Sequence, residues 1–147
     1  MINLKNYSKG LICYVGGEFN PIMFLYLQNK ISEINEFIKI FKNIFDNDFL
    51  FEIQRINDYK IDEFENEFLE CANQHNIPII GSNNVKFEKE NDYDAHDALL
   101  CIAQKSTINK TDRITSNSEI YFKSSTQMIE VFKNIPNIFL NSYDANM

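Results

Sequence analysis

Phe49-Leu50-Phe51-Glu52-Ile53 is the stretch that decides the fold class. Its apolar residues do not alternate with polar ones, so it is too apolar for a strand with one wet face. A strand buried on both faces belongs in a parallel sheet with helices packed over it. Upstream, Gly10 to Val15 reads as a second buried strand, closed by a tight turn at Gly16-Gly17. Downstream, Ile77-Pro78-Ile79-Ile80 reads as a third, and Pro78 fits only near its first residues.

Between these strands the hydrophobic period changes to that of helices. Ile31, Ile34, Phe37, Ile38, Phe41, Ile44 and Phe45 recur every three or four residues and draw one stripe, with Ser32 or Asn29 as the expected cap. Ile61, Phe64, Phe68, Leu69 and Ala72 stripe a second helix that stops near Asn76. Asp94 to Ala103 predicts a third, with Ala95, Ala98, Leu99 and Ile102 on its apolar side. Lys105 to Ser118 is polar and aperiodic, hence a loop. Ser124 and Gln127 have the spacing of a capping box and open a fourth helix, which Pro136 ends before another begins. Strands alternating with helices imply parallel pairing with right-handed crossovers. Three strands are too few for a closed barrel, so the expected class is α/β, as part of a larger fold.

The 147 residues carry 21 acidic and 14 basic side chains, a net charge of −7, with 44% hydrophobic residues. That is a globular composition. The acidic balance argues against a stand-alone nucleic-acid binder, and Lys105, Lys110 and Arg113 form the only modest basic patch. No apolar run approaches the ~20 residues of a membrane span. Met1 to Gly10 has no signal-peptide core, so a soluble, cytoplasmic protein is expected. Cys13, Cys71 and Cys101 lie far apart among apolar neighbours and read as small buried hydrophobes.

Few residues point to chemistry. Gly16-Gly17 lacks the spacing of a phosphate loop. His75 falls at a helix C-terminus, where the dipole favours a cation. His96 lies in Asp92-Tyr93-Asp94-Ala95-His96-Asp97, where packing or a local hydrogen bond competes with a weak metal or acid/base signal. Asp62-Glu63-Phe64-Glu65-Asn66-Glu67 reads as a solvated helix face.

Several segments together resemble one family. Leu50-Phe51-Glu52-Ile53-Gln54-Arg55 is similar to a "(Y/F)xEIQRHG" stretch, and Ile77 to Phe87 to "IPLVATNDVHF". Asp92 to Ala103, then Asp112-Arg113 and Tyr121-Phe122-Lys123-Ser124, resemble "DYEAHDALLCIA…DR…YFKS" almost letter for letter, and Gly10-Leu11-Ile12-Cys13 resembles "KGLICLSGG". These are motifs of bacterial DNA polymerase III alpha subunits, the C-family replicative polymerases, and they run through essentially the whole chain in order. The resemblance implies that residues 1–135 are the second half of a PHP (polymerase and histidinol phosphatase) domain. In the family that domain is a distorted (β/α)7 barrel, and residues 136–147 would begin the connection toward the polymerase core. It implies DNA replication as the process, with the remainder of the alpha subunit or other holoenzyme subunits as partners.

The departures from the pattern bear on activity. Family members with the full motif set bind metal ions at the barrel mouth. Here Ile56 stands in place of a His, followed by Asn57 for Gly, while Asn84 and Lys86 replace the Asp and His of "NDVH"; Glu52 is retained. Ile offers no lone pair and Lys repels a divalent cation. The family's early HxH and TDH motifs and the palm aspartates are not in this sequence. The chain is therefore expected to be a scaffold, from a truncated or split gene. It should hold no metal or other cofactor and neither join nucleotides nor bind DNA alone. A stand-alone metal-dependent phosphoesterase or 3′–5′ exonuclease and a non-functional remnant are the rival readings. If the barrel is incomplete, Phe49, Phe51, Ile79 and Ile80 should line an open side beside an unpaired strand edge, leaving the isolated chain oligomeric or molten.

Overall fold

A computed structural model describes residues 2–17, 20–56, 59–135 and 137–144. Asn57 and Pro136 lie outside the described residues. Three strands, β1 (Cys13–Gly16), β2 (Phe49–Gln54) and β3 (Ile79–Ser82), form one parallel sheet in the order β1-β2-β3. Val15 lies opposite Phe51, and Phe51 opposite Ile79. The helices are α1 (Ile2–Asn6), α2 (Pro21–Leu27), α3 (Ile31–Phe45), α4 (Tyr59–His75), α5 (Tyr93–Ala103), α6 (Ser125–Phe132) and α7 (Ile138–Asp144). This is the α/β alternation that the hydrophobic pattern predicts; the three strands form an open sheet among the described residues.

Side chains alternate across a strand, and the two faces of β2 differ accordingly. Phe49, Phe51 and Ile53 enter a core with Ile34 and Ile38 of α3, Phe64 and Phe68 of α4, Phe132 of α6 and Ile138 of α7. Phe51 and Phe68 stack with ring centroids 4.3 Å apart. Burying an aromatic side chain of this kind stabilises by about 2–3 kcal/mol, before entropy is counted. Leu50 and Ile80 are buried on the opposite face, outside that core. The open side expected at Phe49, Phe51, Ile79 and Ile80 is thus corrected. Phe49 and Phe51 are covered by helices, Ile80 is buried and Ile79 is half-buried. Gly81 permits the cover, because a Cβ there would stand 2.9 Å from the Phe132 ring.

Several boundaries differ from the sequence reading. β1 starts at Cys13, and Leu11 and Ile12 before it are exposed. β3 starts after Pro78, whose carbonyl accepts a hydrogen bond from the Phe51 N–H at 2.9 Å. The N-cap of α3 is Lys30, without a side-chain cap, whereas Asn29 adopts a left-handed φ of 57° just after α2. Both α1 and α2 were not anticipated. α2 carries a legible signal, since Asn20 accepts hydrogen bonds from the N–H groups of Ile22 and Met23 and Pro21 opens the helix. The capping box at Ser124 and Gln127 forms as predicted.

The largest correction is the orientation of α5. Leu99 and Ile102 point to solvent at 67% and 76% exposure, while Asp97 and Cys101 are buried. The reason is a polar attachment. Arg113 reaches Asp97 through two hydrogen bonds of 2.8 and 2.6 Å, and the Ser116 N–H donates to the same carboxylate at 2.8 Å. The Asp97 carboxylate can face inward because both its oxygens are hydrogen-bonded and its charge is paired.

Candidate functional site

Parallel strands gather the loops that follow them at one edge of the sheet, and side chains for chemistry collect there. After β2 comes Arg55, which ties three elements together. It pairs with Glu65 of α4 at 2.5 and 2.9 Å, donates to the Val131 carbonyl of α6 and the Asn134 side chain at 2.6 Å each, and lies over the Phe132 ring. This corrects the reading of Glu65 as part of a solvated acidic face; Glu67 is likewise half-buried. The side chains of Asp62 and Glu63 lie outside the described set.

A cavity of about 670 Å³ opens at the same edge. Ile56 reaches it from the loop after β2, Asn84 and Lys86 from the loop after β3, and His96 from α5. Residues 114–118 supply much of the remaining wall. The three departures singled out in the sequence are therefore neighbours in space. Glu52 is not with them: it accepts a 2.6 Å hydrogen bond from Ser82 Oγ and lines a separate small cavity of about 20 Å³. Among the described residues, no three His, Cys, Asp or Glu side chains come together to hold a metal ion.

The cavity wall is built by polar stitching. Asn83 Nδ2 donates to the Tyr121 carbonyl at 2.6 Å, and the backbone pairs Lys86 N–H with Ile120 O and Phe122 N–H with Phe87 O. Asn117 Nδ2 donates to the Ile56 carbonyl at 2.7 Å. Gln104 holds Ile114 in both directions, donating to its carbonyl and accepting from its N–H at 2.8 Å each. His96 Nδ1 is 2.6 Å from Ser116 Oγ, and its ring lies 5.3 Å from that of Phe87. The hydrogen bond of His96 is not the local one expected within Asp92–Asp97: its partner, Ser116, lies 20 residues further on. Asp97 is held at about 2 by its hydrogen bonds, the one from Arg113 foremost, followed by the Ser116 N–H.

Arg113 is not a surface cation, which removes it from the basic patch expected with Lys105 and Lys110; its side chain is 7% exposed against Asp97. The sequence reading missed this pair and the role of Ser116 and Asn117. The signal for the pair lay in the quoted runs that contain Asp97 and Asp112-Arg113. His75 ends α4 as expected, with Nε2 3.0 Å from Asn35 Oδ1. Cys101 is buried, and burial pushes the half-buried Cys13 and Cys71 thiols up, in keeping with small apolar residues. No helix of the described residues is long and apolar enough to cross a membrane.

Comparison with curated proteins bears out the resemblance read from the motifs. The chain is 35% identical over 143 residues to the DNA polymerase III subunit alpha of Rickettsia bellii, a match covering 95% of this chain and 12% of the relative. It is 30% identical over 141 residues to the protein of the same name from Caulobacter vibrioides, covering 96% of this chain and 12% of the relative. The Campylobacter jejuni protein of that name is 30% identical over 154 residues, covering 96% and 13% respectively. The chain spans about an eighth of the length of these curated relatives. No family model matches it.

Proposed function

We propose that this chain, kin along nearly its whole length to one segment of DNA polymerase III alpha subunits, serves DNA replication as a scaffold element of that polymerase. On this reading residues 1–135 are the second half of a PHP-type distorted barrel, and 136–147 begin the connection toward the polymerase core. Its partners are the remainder of an alpha subunit or other holoenzyme subunits. The carrying observation is the continuous match over about 95% of the chain, at 35% identity, to proteins of that name.

The donor set supports a scaffold over a metallo-phosphoesterase. A divalent cation needs converging oxygen or imidazole donors. At the cavity stand the hydrocarbon of Ile56, the neutral amide of Asn84 and the ammonium of Lys86, while Glu52 is occupied by Ser82. Neither nucleotide transfer nor phosphoester hydrolysis is expected from this chain by itself. Strand β1 supports a role in packing: it pairs with β2 on one side only, and no strand among the described residues takes its other edge. An unpaired parallel edge is a template for another strand.

Co-expression with a polypeptide carrying the part of an alpha subunit that precedes the matched segment tests this. The expected outcome is a stable one-to-one complex on size exclusion, with a higher melting temperature than either piece. A monodisperse monomer that ignores that polypeptide would overturn the reading.

A further inference from the structure

We infer that the cavity between α2, α3 and α4 binds a primary alkylammonium of about the size of a lysine side chain, with Glu67 supplying the counter-charge. The first observation is a carboxylate oxygen left over. Glu67 lies in the wall of this cavity of about 230 Å³, and its Oε2 is buried with no hydrogen-bond partner among the described residues. A buried acceptor of that kind is costly unless a donor reaches it, and a charged donor satisfies it best. Glu70 follows one turn later on α4 in the same wall, exposed and without an ion-pair partner among the described residues.

The second observation is aromatic. Tyr26 of α2 and Phe64 of α4 both line the cavity, with ring centroids 5.3 Å apart and planes inclined at 59°. An aromatic pair beside a carboxylate offers a cation both ring quadrupoles and a full counter-charge. Ile22 and Ile34, also in the wall, are buried and give hydrocarbon for the methylene stem that carries an ammonium.

The two sets of groups together select the ligand. An anion would meet Glu67 and Glu70. A bare metal ion needs several converging oxygen or imidazole donors, and no three His, Cys, Asp or Glu side chains among the described residues supply them. A neutral apolar group would fill the hydrocarbon part and leave Glu67 Oε2 unsatisfied. A cation on an alkyl stem matches both parts, and the net charge of −7 favours its approach. The volume limits its size, being smaller than the roughly 300–1,000 Å³ of pockets that hold drug-sized ligands. This inference does not rest on the replication reading, and the cavity shares no lining residue with the one at the sheet edge.

Titration of the isotope-labelled chain, alone or in complex with the upstream segment, provides the test. Nα-acetyl-lysine methylamide and 1,4-diaminobutane are the probes, with the Nε-acetylated form of the first as the neutral control. We expect saturable shifts of the Phe64, Glu67 and Cys71 amide signals with both probes and none with the control. The tighter probe identifies the source of the ammonium, a side chain of another protein or a free polyamine. Glu67→Gln should weaken binding about fivefold or more, and it should keep the fold because Glu67 Oε2 holds no other group in place. Tyr26→Leu, which removes a ring but keeps an apolar wall, should weaken binding about twofold to threefold. Three results would each overturn the proposal: no shifts with either probe, equal binding of the neutral control, or binding that both variants leave unchanged.

Discussion

Two parts of this molecule are held together by different physics. The sheet with α2, α3, α4, α6 and α7 closes around apolar side chains, with Phe51, Phe132 and Ile138 wholly buried. Residues 83–123 contribute nothing to that core. They are held to one another through Asp97–Arg113, His96–Ser116, Gln104–Ile114 and Asn83–Tyr121, and Asn117 ties them to the Ile56 carbonyl, while Leu99, Ile102, Ile108 and Ile114 remain exposed. Burial drives the first part without regard to direction, whereas the second depends on particular donors meeting particular acceptors.

The comparison breaks most visibly at its apolar end. Phe51→Ala should cost about 3–5 kcal/mol and lower the midpoint of denaturant unfolding for the whole chain. If hydrogen exchange after that substitution changed only around residues 83–123, the division drawn above would be wrong. Asp97→Asn should act on a smaller scale and locally. With the buried Arg113 deprived of its counter-charge, amide protection should fall from α5 through residue 118 while the amides of β2 keep theirs.

Acid makes the same cut without a mutation. The Asp97 carboxyl is lowered from an ordinary value of 3.8 to about 2 in the folded chain, so its stabilisation is present above pH 4 and is lost as pH falls toward 2. Nuclear magnetic resonance should show the signals of residues 93–118 broadening in that window before those of the phenylalanine core. The smallest effect belongs to the exposed apolar side of α5: Ile102→Gln should change stability by no more than about 0.5 kcal/mol by thermal melting. A larger loss would mean that this side chain is covered in solution.

The same division explains what could be read from the sequence. Where burial is apolar, spacing announces it: the stripe from Ile31 to Phe45 is α3, and the unbroken run at Phe49 is the central strand. Where burial is polar, spacing misleads. Leu99 and Ile102 have the period of an inward face, yet Asp97 takes it because Arg113 and Ser116 wait 16 and 19 residues further on. Periodicity cannot see such a partner. The motifs brought Ile56, Asn84 and Lys86 forward as a set, and they do share one cavity. Ser116 and Asn117 sit in an aperiodic loop that gives no sign of the wall they build.

The contact between Gly81 and Phe132 also sets a timetable for synthesis. A nascent chain emerges N-terminus first, and each strand–helix–strand unit can pair as soon as it is free. β1, α3 and β2 can therefore assemble early, yet β3 waits for the ring of Phe132, which follows Gly81 by about 50 residues. Until α6 and α7 arrive, the face of β3 that Phe132 and Ile138 cover stands open to the ribosome's surroundings. The interval between the third strand and its cover is the period in which a newly made chain is most exposed to aggregation and most available to chaperones.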